Sequence, residues 1–236
     1  MKTLNVFQGR QLLGILYDSE PLSFRYVGDC AAGKIPSPFA DVIPLSPDLQ
    51  SDAKVAAFFE NLLPEGEQRA IVEARHHVST VFGLLEVLGG ETVGALVITA
   101  HDHIEPARYL NTTWASVQES GAALHEDEIA STLQGNTISG AQYKILLYLE
   151  TPNAAPQLPM GGALTTHILK PDIVHAGAKV WATAANETLM MMAAKKCGLG
   201  VAEVRYIEAA QSCLVERFDR YRDAEGNWQK HHQADL

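Results

Sequence analysis

Gly135-Asn-Thr-Ile-Ser-Gly-Ala-Gln-Tyr-Lys144 runs directly into Ile145-Leu-Leu-Tyr-Leu149. Two hydroxyls, Thr137 and Ser139, stand before a glycine turn, and the turn opens an apolar, strand-like run. Such a stretch is either a connector, since Ser, Thr and Gly populate turns for backbone reasons alone, or a loop whose amides face phosphate. The Gly135 to Gly140 spacing matches a Gly-x-x-x-x-Gly-Lys-Ser/Thr loop, but Ala141-Gln142 stands where Lys-Ser/Thr must follow. That motif is excluded on its chemistry.

Working outward, the turn opens an α+β block. A strand is expected over 145–149, a Pro- and Gly-rich loop over 151–162, and a second strand over 165–170, ending in Lys170. Residues 186–197 read as a helix with Gly198 as its stop, and 203–209 and 212–218 alternate as two strands joined by a short turn. Met190-Met191-Met192 reads as helix core.

Upstream lies a second block, over residues 1–100. Leu4 and Val6, then Leu13, Ile15 and Tyr17, then Leu22, Phe24 and Tyr26, alternate at period two, which predicts an antiparallel meander. Ser51 is placed to cap a helix with Val55, Phe58, Phe59 and Leu62 inward, stopped by Pro64. A second helix is expected over 65–77. Ser79 is placed to cap a third with Phe82, Leu85 and Leu88 inward, and Gly89-Gly90 ends it before a strand over 93–98. Residues 101–135 are polar and mixed and read as a bridge, so the expected domains are 1–100, the bridge, and 136–236.

Composition bounds the function. The 236 residues are 47% hydrophobic and 19% charged, an ordinary globular balance. The formal net charge of -10 argues against direct nucleic-acid binding, which needs clustered Lys and Arg. Three cysteines without Cys-x-x-Cys spacing suggest neither a disulfide framework nor structural zinc. His101-Asp-His103 and His231-His232 lack a third ligand in sequence, so no metal site is expected there. No run approaches the length of a membrane span or signal peptide, and the cytoplasm is the expected compartment.

The order of parts around the turn then carries weight. A kinase lobe needs backbone N–H groups around the phosphates, a lysine to neutralise them, a helix carboxylate to hold that lysine, and an edge backbone to read adenine. Here the turn, the strand ending in Lys170, a helix beginning near Glu187 and the run Val215-Glu-Arg-Phe-Asp-Arg220 follow in that order. Glu187 is equally placed to be an exposed first-turn residue favoured by the helix dipole. With Phe59-Glu-Asn-Leu-Leu-Pro64, Val93-Gly-Ala95, Thr137-Ile-Ser-Gly-Ala-Gln142, Lys144, Thr166-His-Ile-Leu-Lys170, Asn186-Glu187 and Gly198-Leu199, the chain resembles HipA-like serine/threonine kinase toxins over almost its whole length.

That resemblance implies an α+β fold in which an N-terminal subdomain of antiparallel strands and short helices precedes a kinase-like N-lobe sheet with one helix, the helical C-lobe being absent. It implies ATP held by Gly140, Ala141 and Gln142, phosphate contacted by Lys170, and adenine read by the backbone at Glu216 and Phe218. Inhibitory autophosphorylation would fall on Thr137 or Ser139, because this sequence has Thr-Ile-Ser where some relatives have Ser-Ile-Ser. A phosphate there brings about -1.5 to -2 charges into a loop built to receive ATP, enough to expel it. The implied partners are a HipB-like helix-turn-helix antitoxin and a translation-related protein substrate, an aminoacyl-tRNA synthetase in the family pattern, with no membrane involved. The implied cofactors are ATP and Mg. No His-x-Asp-x4-Asn motif supplies a catalytic Asp or Mg ligands, so the chain is expected not to turn over alone. The alternative reading is a non-catalytic nucleotide-binding or protein-interaction module derived from such a kinase.

Overall fold

A computed structural model describes residues 1–92, 94–123, 143–175 and 178–233. The chain forms two compact units, one of residues 1–105 with 229–233 and the other of 106–123 with 143–228. Among the described residues, no helix is long and apolar enough to cross a membrane.

In the first unit the expected meander forms. Strands β1 (Thr3–Gln8), β2 (Gln11–Tyr17) and β3 (Ser23–Tyr26), joined by β4 (Leu96–Thr99), make an antiparallel sheet in the order β3-β2-β1-β4. Its phase differs from strict alternation. Val6 pairs with Gly14 but Phe7 with Leu12, so Leu13 is an extra residue. A bulge shifts every later side chain to the opposite face; hence Leu13 and Leu16 are buried, while Ile15 and Tyr17 are only half-buried. Gly14 is required, since a Cβ there would lie 2.2 Å from the Phe24 ring and 2.6 Å from the Arg25 carbonyl.

Among the described residues, this unit also holds helices α1 (Gly28–Ala31), α2 (Ala53–Glu60), α3 (Gly66–His76) and α4 (Val81–Leu88). Two caps fall one residue later than expected. Asp52, not Ser51, accepts from Lys54 N and Val55 N at 2.9 and 3.2 Å, and Thr80, not Ser79, accepts from Gly83 N at 3.0 Å. An N-cap oxygen must reach the amides two or three residues on, and only these two stand at that offset from the observed helix starts. Phe24, Tyr26, Phe39, Phe58 and Phe59 pack ring to ring, with Leu62 and Leu63 buried. Phe59, Leu62, Leu63 and Pro64 of that run are therefore packing, while Glu60 and Asn61 are exposed. Lys230 returns to this unit and donates to the buried Glu91 at 2.9 Å.

The second unit opens where a bridge was expected. Strand β5 (Arg108–Asn111) and helix α5 (Trp114–Ala123), capped by Thr113 accepting from Ser116 N at 3.1 Å, occupy that stretch. There follow β6 (Ile145–Leu147), β7 (Gln157–Met160), β8 (His167–Pro171), β9 (Val174–His175), β10 (Ala178–Lys179), α6 (Thr183–Lys196), β11 (Val204–Ile207), β12 (Ser212–Glu216), β13 (Arg220–Arg222) and the start of β14 (Trp228–Lys230), whose last two residues belong to the first unit. Strand β7 lies inside the expected loop and pairs antiparallel with β5, Leu110 facing Leu158. The main sheet runs β11-β12-β8-β6, every pair antiparallel.

Register assigns the faces. Tyr206, Cys213 and Lys170 stand in one cross-strand row, and Val204, Val215, Ile168 and Leu146 in another. Residues two apart share a face, so both rows lie on one side. Helix α6 covers that side through Ala184, Thr188 and Met191, spaced i, i+4, i+7; Ala184 and Met191 pack with Cys213, Val215, Ala202 and Val204. Met190 and Met192 are 60% and 48% exposed. Only the middle methionine of the three meets the sheet, because neighbours along a helix point about 100° apart.

Candidate functional site

The second unit brings Lys170 and Glu187 together. Lys170 lies near the end of β8 on the covered face, and Glu187 occupies the second turn of α6. Lys170 Nζ donates to Glu187 Oε1 at 2.5 Å, the two side chains being 22% and 27% exposed. Half-burial screens such a pair less than full exposure would.

The helix that carries Glu187 is positioned from the strand. Asp172, just past β8, accepts from Ala184 N at 2.8 Å and from Thr183 Oγ1 at 3.2 Å, and Thr183 Oγ1 in turn accepts from Ile173 N at 2.8 Å. A carboxylate at a helix N-terminus satisfies open amides and opposes the positive end of the dipole. It does so here from eleven residues upstream of Thr183, beside Ala182, which enters the helix at φ 58°. The helix begins at Thr183 and not at 186 because this remote cap holds its first turn.

The strand-end run Val215-Glu-Arg-Phe-Asp-Arg220 alternates between solvent and interior. Phe218 is 76% exposed, whereas Arg217, Asp219 and Arg220 are buried. Arg217 donates bidentately to Asp219, Nε to Oδ1 at 2.9 Å and a terminal nitrogen to Oδ2 at 2.7 Å, and also to Thr165 Oγ1 at 2.8 Å. Arg220 donates to Asp219 Oδ2 at 2.8 Å and, through Nε, to the Thr165 carbonyl at 2.9 Å. Burial alone would raise the Asp219 pKa, but the hydrogen bonds and charges of Arg217 and Arg220 outweigh it and hold the carboxyl below its usual range. Backbone bonds from Arg217 N to Thr166 O and from Glu216 N to Glu203 O, both 2.9 Å, complete the anchoring of residues 216–220.

Of the residues expected from sequence, Lys170 and Glu187 meet, Glu216 ends β12, and Phe218 projects outward two residues later. Thr137, Ser139, Gly140, Ala141 and Gln142 lie outside the described residues. Lys144, named in the resemblance, is half-buried beside Lys170 and Glu187; the Asp172 cap and the Arg217–Asp219–Arg220 cluster went unread. The charge alternation within 216–220 hinted at the last of these. Its Thr165 partner, more than fifty residues away, gave no local sign. No group of three or more His, Cys, Asp or Glu suited to a metal ion occurs among the described residues.

Two family models and several known proteins match the chain. A model of the HipA N-terminal domain matches residues 4–99, and one of the HipA-like C-terminal domain matches residues 136–236. "Putative kinase Y4mE" of Sinorhizobium fredii is 32% identical in a match covering 100% of this chain and 58% of that protein. Among solved structures, the Shewanella oneidensis MR-1 toxin–antitoxin system HipA, determined with HipB and its operator DNA, matches with a TM-score of 0.69 at 24% identity. That match covers 97% of this chain and 54% of the other, so the chain spans little more than half the length of the proteins it resembles.

Proposed function

The chain belongs to the HipA-like family, and from that premise we propose that its second unit is the nucleotide-binding lobe of a protein serine/threonine kinase of a toxin–antitoxin module. The observation that carries this reading is the Lys170–Glu187 pair, bridging a sheet strand and the helix lying on it. Kinases use such a lysine–glutamate pair to aim an ammonium at ATP phosphates. Asp172 supports the same reading, since it ties the lysine strand to the glutamate helix and so limits how far the two can separate.

In this assignment Gly140, Ala141 and Gln142, which lie outside the described residues, would hold the phosphates, Lys170 would neutralise them, and adenine would lie against the segment 216–218. The Glu216 amide already donates to Glu203, so the edge offered to adenine is the carbonyl of Glu216 with the amide of Phe218. The buried Arg217–Asp219–Arg220 cluster holds that edge in place. Phosphoryl transfer, inhibitory modification of Thr137 or Ser139, a translation-related protein substrate and a HipB-like antitoxin belong to the proposal for the whole protein. So does Mg, which would supply positive charge at the ATP phosphates when bound and for which the sequence carries no family-spaced ligand set.

Nucleotide-dependent thermal stabilisation tests the reading. A ligand bound only by the folded state stabilises it by about 2.7 kcal/mol at one hundred times its Kd. ATP is expected to raise the Tm of the wild-type chain, and Lys170→Met to abolish the rise while leaving the Tm without ligand within a few degrees. An unchanged Tm for wild type at millimolar ATP, with and without Mg, refutes nucleotide binding by this chain.

A further inference from the structure

Gly94, the middle residue of the Val93-Gly-Ala95 motif that the nucleotide reading leaves unused, lies where residues 229–233 return to the first unit. It is buried at φ +81°, and a Cβ there would stand 2.9 Å from the Gln233 backbone nitrogen and 3.5 Å from His232 Nδ1. Glycine suits both that conformation and so close an approach. The buried Thr92 fixes the turn beside it, its Oγ1 donating to the Leu96 carbonyl at 2.7 Å. Glu91, with a side chain 3% exposed, accepts from Lys230 Nζ at 2.9 Å across 139 residues of sequence. Glu91, Thr92 and Gly94 thus form a shaped seat for 230–233, with a buried carboxylate for the lysine and bare backbone against the ring and amide that follow.

His232 makes that seat conditional. Both of its ring nitrogens are buried, and neither has a hydrogen-bond partner among the described residues. A neutral imidazole can be held this way at a cost, but an imidazolium would bring a charge and two N–H donors to a place where no described group accepts them. The titratable side chains on the two segments are Glu91 and Lys230, which hold each other, and His231, which is exposed. We propose that residues 229–233 are a detachable strap, seated on Glu91 and Gly94 while His232 is neutral and released when its ring takes up a proton. Histidine is the side chain whose charge changes near neutral pH. Burial lowers the His232 pKa from its ordinary 6.5, so the released strap binds the proton more readily than the seated one. Seating therefore carries no penalty above about pH 6.5 and weakens as pH falls below it. The strap and its seat use none of the residues assigned to nucleotide.

Hydrogen exchange of the full chain tests the strap, read by mass spectrometry on peptides covering 94–98 and 229–233 and expressed as protection factors so that the intrinsic pH effect cancels. For a seated ring that stays neutral and a released ring titrating near 6.5, protection of both peptides should hold from pH 8 to pH 7 and fall about eightfold from pH 7 to pH 5.5. Peptides from β1 and β2 serve as the control and should not change over that range. His232→Phe and His232→Gln remove the titration and should make the protection of 229–233 independent of pH. Gly94→Ala should strip that protection at every pH, because the added methyl meets the Gln233 backbone. Equal wild-type protection at pH 7 and pH 5.5 overturns the proposal, as does a fall of the same size in both His232 variants. Gly94→Ala protecting 229–233 as well as wild type, or a wild type with no protection there at pH 7, overturns the seat itself.

Discussion

Replacing Asp219 by Asn removes one charge from the interior without changing the side chain's size. The carboxylate accepts three hydrogen bonds from two guanidiniums, at 2.9, 2.7 and 2.8 Å, and the three side chains are between 0% and 5% exposed. The amide can accept at only one of its two terminal atoms, so at least one guanidinium N–H is left facing a donor. Breaking a buried ion pair from one side costs about 3–5 kcal/mol, because the partner charge stays buried. At about 4 °C per kcal/mol for a domain of this size, the unfolding transition of the second unit should fall by ~12–20 °C. Urea denaturation followed by circular dichroism measures the same loss at constant temperature. The pH dependence isolates the charge. The folded carboxyl lies below its unfolded value of 3.8, so its contribution is fully present above that value and is lost as pH falls through the folded pKa. The gap between wild type and Asp219→Asn should therefore hold from pH 7 to about pH 4 and narrow below it. A cost under about 1 kcal/mol at pH 7, or a gap that is the same at pH 3 and pH 7, would refute the reasoning.

Asp172→Ala should cost about 0.5–2 kcal/mol in urea titration through loss of the α6 cap. It should also weaken ATP binding at Lys170 without touching nucleotide, since Glu187 rides on the helix that Asp172 anchors. His167 is buried, and burial, followed by the charge of Arg205, lowers its pKa from 6.5 to about 4. The unfolded chain binds this proton below about pH 6.5 and the folded chain does not, so this group makes stability rise with pH between about 4 and 6.5. Titrating the His167 ring by NMR should show no protonation down to pH 5, and His167→Gln should flatten the pH dependence of the urea midpoint across that window.

Much of the architecture could be read from short-range pattern. Alternation marked β1 to β3, apolar spacing at i, i+3 and i+4 marked α2 and at i, i+3 and i+6 marked α4, and glycine stops marked helix ends. Each is a property of a few consecutive residues whose faces must be either wet or dry. Phase was not legible where one extra residue intervened: the bulge at Leu13 moved Leu16 inward because pairing with β1 dictates it. The stretch 101–135 read only as a bridge because β5 has no stabilising pattern of its own and gains order by pairing with β7, some fifty residues on.

At the site, sequence determined the residue types: Lys170 at a strand end, an acidic residue on a helix, a hinge-like run at 215–220. It left Glu187 balanced between ion-pair partner and exposed helix residue, since a helix dipole favours an acid near its start in either case. Only the tertiary structure decided that question, by a cap from Asp172 that fixes where α6 begins and therefore which way Glu187 points. It likewise decided that Arg217, Asp219 and Arg220 turn inward upon Thr165. Such meetings depend on chain segments that close in space after long separation in sequence, and loop closure leaves no periodic trace in the residues it joins.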